Sequence, residues 1–190
     1  MPTIGVLALQ GDFEAHEKAF QQAGARTVQV RAAADLDSID ALVIPGGEST
    51  TMLKLIHAES LMEPLRQFGL SKPIFGTCAG AILLASQVSQ PEQDSLGLID
   101  ISIQRNAYGR QLQSHVAQLD LDGKPLEAVF IRAPIIRRTG GSVRVLARHK
   151  GDPVLVEQGP HLAATFHPEL TAGRGVQILF LEKVRTCAKN

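Results

Sequence analysis

Between Thr3 and Gly47 short β-rich runs alternate with a helical pattern, and this rhythm restricts the fold more than any other feature of the chain. TIGVLAL (3–9) is followed by a helix expected from about Asp12 to Ala23, then by RTVQV (26–30) and DALVIPGG (40–47). Strands that alternate with helices predict a parallel sheet covered by helices. Asp12 is placed to cap the first helix, Phe13, Ala19, Phe20 and Ala23 fall near one stripe, and Gly24 is placed to stop it. Further on, the sequence predicts a helix over about 79–87 and a polar loop, QVSQPEQDS. The runs LIDISIQR, HVAQLDL, LEAVFIRA, SVRVLAR, PVLVE and HLAATFH follow, broken by glycines, prolines and acidic residues. They predict antiparallel strands added to the parallel sheet, with a last amphipathic helix over about 176–184. No repeat, low-complexity tract or linker divides the 190 residues. The expectation is one α/β domain over 1–190, a three-layer sandwich with a mixed, mostly parallel sheet and helices on both faces.

Nineteen basic residues balance nineteen acidic ones, and neither sign gathers into runs, so nucleic acid is disfavoured as a partner. No segment approaches the roughly 18 uninterrupted apolar residues of a membrane span. MPTIGVLALQGD has no basic n-region and no small-residue cleavage site. A cytoplasmic protein without membrane contact is expected. Its two cysteines, Cys78 and Cys187, are then expected reduced, with Cys187 incidental in the polar tail KVRTCAKN.

Cys78 stands in Gly76-Thr77-Cys78-Ala79-Gly80, where the apolar run PIF leads into a helical one, AILL. A nucleophile between two glycines fits a sharp strand-to-helix turn that leaves the central residue strained and exposed. The unpaired N–H groups and positive dipole end of the following helix favour an anionic sulfur, and the N–H of Ala79 would face an oxyanion. A small residue buried at a tight junction is the ordinary alternative, so the motif needs partners. Among six histidines, His16 and His57 fall in helical patterns and His115 and His149 in polar strand surroundings, where surface or half-satisfied roles are the default. His167 differs: it follows the apolar strand LAATF, precedes Pro168, and has Glu169 two residues on. In an extended segment such residues project to one side, so Glu169 can accept a hydrogen bond from the His167 ring. Alone, His-Pro-Glu reads as a polar turn. With the cysteine turn it supplies nucleophile, base and orienter for acyl transfer through a thioester.

A second glycine turn, Pro45-Gly46-Gly47-Glu48-Ser49-Thr50, ends DALVI and precedes TMLKLIHA. An exposed N–H there could be a second oxyanion donor. Phosphate binding is a weak reading, because the lysine of a phosphate loop is missing and Glu48 would repel an anion. A plain turn with Ser49 or Thr50 as helix cap is the ordinary alternative.

Taken with LALQGD, RNAYGRQ, FIRAP and FHPELT, the segments PGGESTTM and FGTCAG resemble the class I (triad) glutamine amidotransferases. In order and spacing, over nearly the entire chain, they are similar to the SNO family, the glutaminase subunits of pyridoxal 5′-phosphate synthase. The resemblance implies a flavodoxin-like fold, no metal and no cofactor. It implies that Cys78 attacks the side-chain amide of L-glutamine, His167 shuttles protons, Glu169 orients it, and Gly47 and Ala79 form the oxyanion hole. Gly47, Glu48, Ser49, Arg105, Ile131 and Arg132 match glutamine-binding positions. An arginine fork suits the substrate α-carboxylate, and Glu48 its ammonium. Arg105 and Arg132 as solvated strand-end charges, and Ser49 as a cap, are the alternatives. Tyr108 replaces the usual Phe, and Ala81 a common Leu; neither removes a functional group.

The chain offers no room for an ammonia acceptor, so the resemblance implies a partner. That partner is the synthase (lyase) subunit, which is a TIM barrel in a dodecameric core that turns ribose 5-phosphate, glyceraldehyde 3-phosphate and ammonia into pyridoxal 5′-phosphate. Gln10 and Gly46 are expected in the docking face, with docking completing the oxyanion hole. The rival readings are the glutaminase of another amidotransferase, such as imidazole glycerol phosphate synthase, a non-catalytic regulatory module on the same fold, and a cysteine redox sensor or stress-type hydrolase.

Overall fold

Residues 1–106 and 114–188 are described by the computed structural model. The rhythm of the first half becomes β1 (Thr3–Leu7), α1 (Phe13–Gln22), β2 (Arg26–Val30), β3 (Ala41–Ile44), α2 (Ser49–Ala58), α3 (Met62–Ser71), β4 (Ile74–Thr77) and α4 (Ala79–Leu84). The second half adds β5 (Ala85–Ser89), β6 (Ile99–Gln104), β7 (His115–Leu121), β8 (Lys124–Phe130), β9 (Ile135–Thr139), β10 (Arg144–His149), β11 (Asp152–Gln158), β12 (His161–Ala164) and α5 (Gly175–Cys187). A seven-stranded sheet runs in the order β10-β11-β12-β4-β3-β1-β2. The five strands from β12 to β2 pair in parallel, while β11 and β10 continue the sheet antiparallel.

Parallel strands covered on both faces are mostly apolar, and TIGVL, ALVI and IFGT are buried at every position with only Thr3 and Thr77 polar. Leu42 and Ile44 point into one core with Met52 and Ile56 of α2, Leu65 of α3 and Leu83 of α4. Ile4, Val6, Val43 and Phe75 point into the other, under α1 and α5. There Phe180 meets Phe20 edge-on at 6.0 Å, a geometry that favours aromatic rings beyond plain burial, and lies tilted against Phe75 at 5.5 Å. Helix layers on both faces of one sheet make the expected three-layer sandwich.

The second half departs from expectation in its pairing. Of its strands, β10 and β11 join the main sheet antiparallel, and β12 joins it parallel to β4; β5, β6 and β9 form a sheet of their own, with β5 and β6 parallel, and β7–β8 is a separate hairpin. β6 alternates buried Ile99, Ile101 and Ile103 with half-exposed residues, so it has only one apolar face to place against the core. The helix after Cys78 stops at Leu84, not near 87, because Ala85 turns extended and its segment pairs with β6. AILLAS reads equally well as helix, and pairing decides the outcome. Asp12 sits at the N-cap of α1 but its side chain makes no capping bond, whereas Gly24 ends the helix region at φ +89°. The helix expected over 176–184 runs longer, Gly175–Cys187.

Candidate active site

Cys78 lies at the C-terminal end of β4 with φ 49° and ψ −102°, a strained backbone for a residue with a side chain. Its N–H donates to the Ala164 carbonyl of β12 at 2.8 Å. The flanking glycines are required by contact. A Cβ on Gly76 would stand 2.5 Å from the Gly80 carbonyl, and one on Gly80 only 2.1 Å from Ile44 O.

His167 follows β12 and is fixed from the other side of the site, its N–H donating to Val129 O of β8 at 2.8 Å. Pro168 opens a 3-10 turn, Pro168–Leu170, with its fixed φ. That turn, and not an extended segment, brings His167 Nδ1 to 2.7 Å from Glu169 Oε1. Both side chains are buried. With Nδ1 committed to the carboxylate, Nε2 is left for the sulfur.

On the far side of Glu169 lies His16 of α1, fully buried, its Nε2 at 3.3 Å from Glu169 Oε2 and 3.0 Å from Thr77 Oγ1. The helical default for His16 missed this. The signal was present, since His16 precedes the buried Ala19 and Phe20 by three and four positions on the helix.

Burial alone would lower the pKa of His167, but hydrogen bonds to Cys78 and Glu169, and their charges, push it up to about 10. Burial would raise that of Glu169, yet the charges and hydrogen bonds of His16 and His167 hold it down at about 2. The partners of His167 therefore favour the cationic form of its ring, set between the Cys78 sulfur and a carboxylate.

The second glycine turn roofs this pair. Gly46, expected in a docking face, is buried: a Cβ there would meet His167 Cε1 at 2.4 Å and Cys78 Cβ at 3.3 Å. Gly47 is exposed at φ +149°, its α-carbon against the Gln10 carboxamide, and Gln10 Oε1 accepts from Glu48 N at 3.1 Å. Gly11, at φ +97°, lets its loop press on Gly46 O, which a Cβ would approach to 1.9 Å. The cap of α2 is Glu48, not Ser49 or Thr50. Its carboxylate accepts from Thr50 N at 3.0 Å and from Thr51 N and Oγ1 at 2.8 Å. Slight burial opposes these bonds, which nonetheless hold its pKa at about 2. Ser49 is buried and donates to Gln93 Oε1 at 3.0 Å.

Arg105 is 7% exposed and so is no solvated strand-end charge. Its Nη2 donates to Thr50 Oγ1 at 2.8 Å and lies 3.5 Å from Glu48 Oε1. Ile131 turns its carbonyl to Cys78 Sγ at 3.9 Å, and Arg132, exposed, adopts φ +46°. Residues 107–111 of RNAYGRQ, including Tyr108, lie outside the described residues. Ala81 is buried in the core of α4. Cys187 is exposed and, like Cys78, unbridged. Among the described residues no group of three His, Cys, Asp or Glu could hold a metal ion, and no helix is long and apolar enough to cross a membrane.

A glutamine amidotransferase of known crystal structure superimposes with a TM-score of 0.91 at 45% identity, spanning 96% of this chain and 98% of the other. PurLQS from Thermotoga maritima shares the fold alone, with a TM-score of 0.70 at 15% identity over 98% of this chain and 99% of the matched one. The architecture is that of the class I glutamine amidotransferases. Two proteins named pyridoxal 5′-phosphate synthase subunit PdxT are similar over nearly full length. The one from Solibacter usitatus is 55% identical over 97% of this chain and 100% of its own. The one from Thermotoga neapolitana is 46% identical over 96% and 99%. The model of the SNO glutamine amidotransferase family matches residues 6–186, and the chain belongs to that family.

Proposed function

We propose that this chain, acting as one domain over 1–190, hydrolyses L-glutamine to L-glutamate and ammonia as the glutaminase subunit of a pyridoxal 5′-phosphate synthase. The observation that carries the reading is the apposition of Cys78, on its strained strand-end turn, with a His167 ring held on Glu169. The Cys78 thiolate attacks the side-chain amide carbon, and the His167 imidazolium gives its proton to the departing nitrogen. His167, now neutral, takes a proton from the water that attacks the thioester, releasing glutamate. Glu169 keeps the ring oriented and stabilises its cationic form. The N–H groups of Gly47 and Ala79 receive the oxyanion, an interaction worth on the order of 10²–10³ in rate per donor. Arg105 supplies a guanidinium for the substrate α-carboxylate and Glu48 a carboxylate for its ammonium, with Ser49, Ile131 and Arg132 around them.

The ammonia user is a separate synthase protein, a TIM barrel in a dodecameric core with glutaminases docked around it. Docking reaches the site through Gln10, whose side chain lies on Gly47 and binds Glu48 N, so a partner that moves Gln10 resets the oxyanion loop. The test is glutamate release by the purified chain, alone, with a pyridoxal phosphate synthase lyase subunit, and with an imidazole glycerol phosphate synthase cyclase subunit. Stimulation by the first partner only, lost in Cys78→Ala, is expected. Stimulation by the second partner reassigns the acceptor, and no hydrolysis under any condition overturns the glutaminase reading.

A further inference from the structure

The proposed chemistry leaves one fully buried titratable ring without a task, His16. It reaches the site from α1, at the opposite end of the chain from Glu169. Its Nε2 is hydrogen-bonded to Thr77 Oγ1 at 3.0 Å and lies 3.3 Å from Glu169 Oε2, an ion-pair contact; neither Nδ1 nor Glu169 Oε2 has a hydrogen-bond partner among the described residues. An unprotonated Nε2 would set its lone pair against those of an ionised carboxylate, so Nε2 carries the proton and donates it. A buried imidazole with one nitrogen unpartnered is a poorer core residue than an apolar side chain of equal size. Packing beside Ala19 and Phe20 therefore does not account for it.

What the ring joins does account for it. Glu169 Oε1 serves His167 at 2.7 Å, and Oε2, the oxygen left over, faces His16. Thr77 is the residue before Cys78, the last of β4.

We propose that His16 is a positioning residue: with Nε2–H hydrogen-bonded to Thr77 Oγ1 and set 3.3 Å from Glu169 Oε2, it holds the carboxylate plane electrostatically and ties it to the strand end that carries Cys78. The inference rests on the glutaminase reading for its role in turnover, and on geometry alone for its effect on the Cys78–His167 pair. A carboxylate held at one oxygen only can rotate off Nδ1, and a misplacement of about 1 Å costs up to roughly 10²-fold in rate.

The test compares His16→Leu, which removes the donor, with His16→Gln, whose amide N–H reaches about as far as Nε2, both in a Cys187→Ser background so that Cys78 alone reports. Two readouts are taken: kcat and KM for glutamine with the synthase subunit present, and the pH dependence of Cys78 alkylation by iodoacetamide. In His16→Leu, kcat is expected to fall about 10- to 100-fold with KM little changed, and the alkylation profile to move to higher pH. His16→Gln is expected to restore most of both. Should Leu fail to fold, His16→Asn, polar but too short to reach Glu169, takes its place and is expected to behave as Leu would. Parental kcat and alkylation profile in Leu or Asn overturn the inference, as does Gln failing alongside them. If the parent chain itself releases no glutamate, the glutaminase reading falls, and the alkylation profiles still decide whether His16 positions the pair.

Discussion

Neighbouring strands β3 and β4 both end in glycine turns that lead into helices, yet the two turns are held in opposite ways. The turn after β4 is closed by backbone: Gly76 packs on Gly80, and Gly80 on Ile44 O. Nothing in it can yield, so the Cys78 sulfur has one place to be. The turn after β3 is rigid at Gly46, against His167 and Cys78, but from Gly47 onward it is held by side chains, those of Gln10 and Glu48. The sulfur proposed as nucleophile is thus fixed by backbone, and the loop facing it is held by side chains. In the proposed function, the difference separates the part of the site that is preorganised from the part on which a docking partner would act.

Substitutions break or sharpen this contrast. The largest effect on turnover is expected from Cys78→Ala, a loss of about 10⁴-fold or more in glutamate release with the synthase present. Gly46→Ala should follow, losing roughly 10²-fold by pushing the His167 ring aside. In stability, too, the turn after β4 is expected to be the more sensitive. Gly80→Ala, with its Cβ 2.1 Å from a backbone oxygen, is expected to cost about 3 kcal/mol or more in urea unfolding. Gly47→Ala meets only the end of the Gln10 side chain, at 2.5 Å, and adds strain at φ +149°; about 1–2 kcal/mol is expected, with activity falling further than stability. Equal destabilisation by these two alanines would erase the contrast.

Two titrations probe the charges. Against burial, which lowers it, Cys78 and Glu169 raise the pKa of His167, so its NMR titration midpoint should drop from about 10 in Cys78→Ala and in Glu169→Gln. The smallest effect belongs to Glu48→Gln, a weakened cap costing about 1 kcal/mol at neutral pH. Glu48 titrates at about 2 in the fold against its ordinary 4.5. Its stabilisation is therefore complete above pH 4.5 and lost as pH falls through 2, and the gap between parent and variant should close over that window.

The parallel half of the fold was legible because strands buried on both faces are written as unbroken apolar runs, and the helix of α1 because its stripe and its stop lie close together. The β5–β6–β9 sheet was not, because AILLAS suits helix as well as strand and IIRRT carries only two apolar residues; long-range pairing settles both. α3 could have been found, since Met62, Leu65, Phe68 and Gly69 lie buried at helical spacing. Cys78, His167 and Glu169 were readable as motifs because each motif is local. His16, Gln93 and the buried state of Arg105 depend on contacts between distant segments, which local spacing does not encode. Glu48 as a cap overrode the serine and threonine beside it because its longer side chain reaches two N–H groups and the Thr51 hydroxyl.

The central claim, that Cys78 is the nucleophile of a glutamine site, is tested most directly by covalent labelling with a glutamine analogue. The chain, bound to the synthase subunit, is treated with 6-diazo-5-oxo-L-norleucine, with and without excess glutamine, and the adduct is mapped by peptide mass spectrometry. One adduct on Cys78, slowed by glutamine, is the predicted result. Labelling of the exposed Cys187 instead, or labelling of Cys78 that glutamine does not slow, would contradict the account.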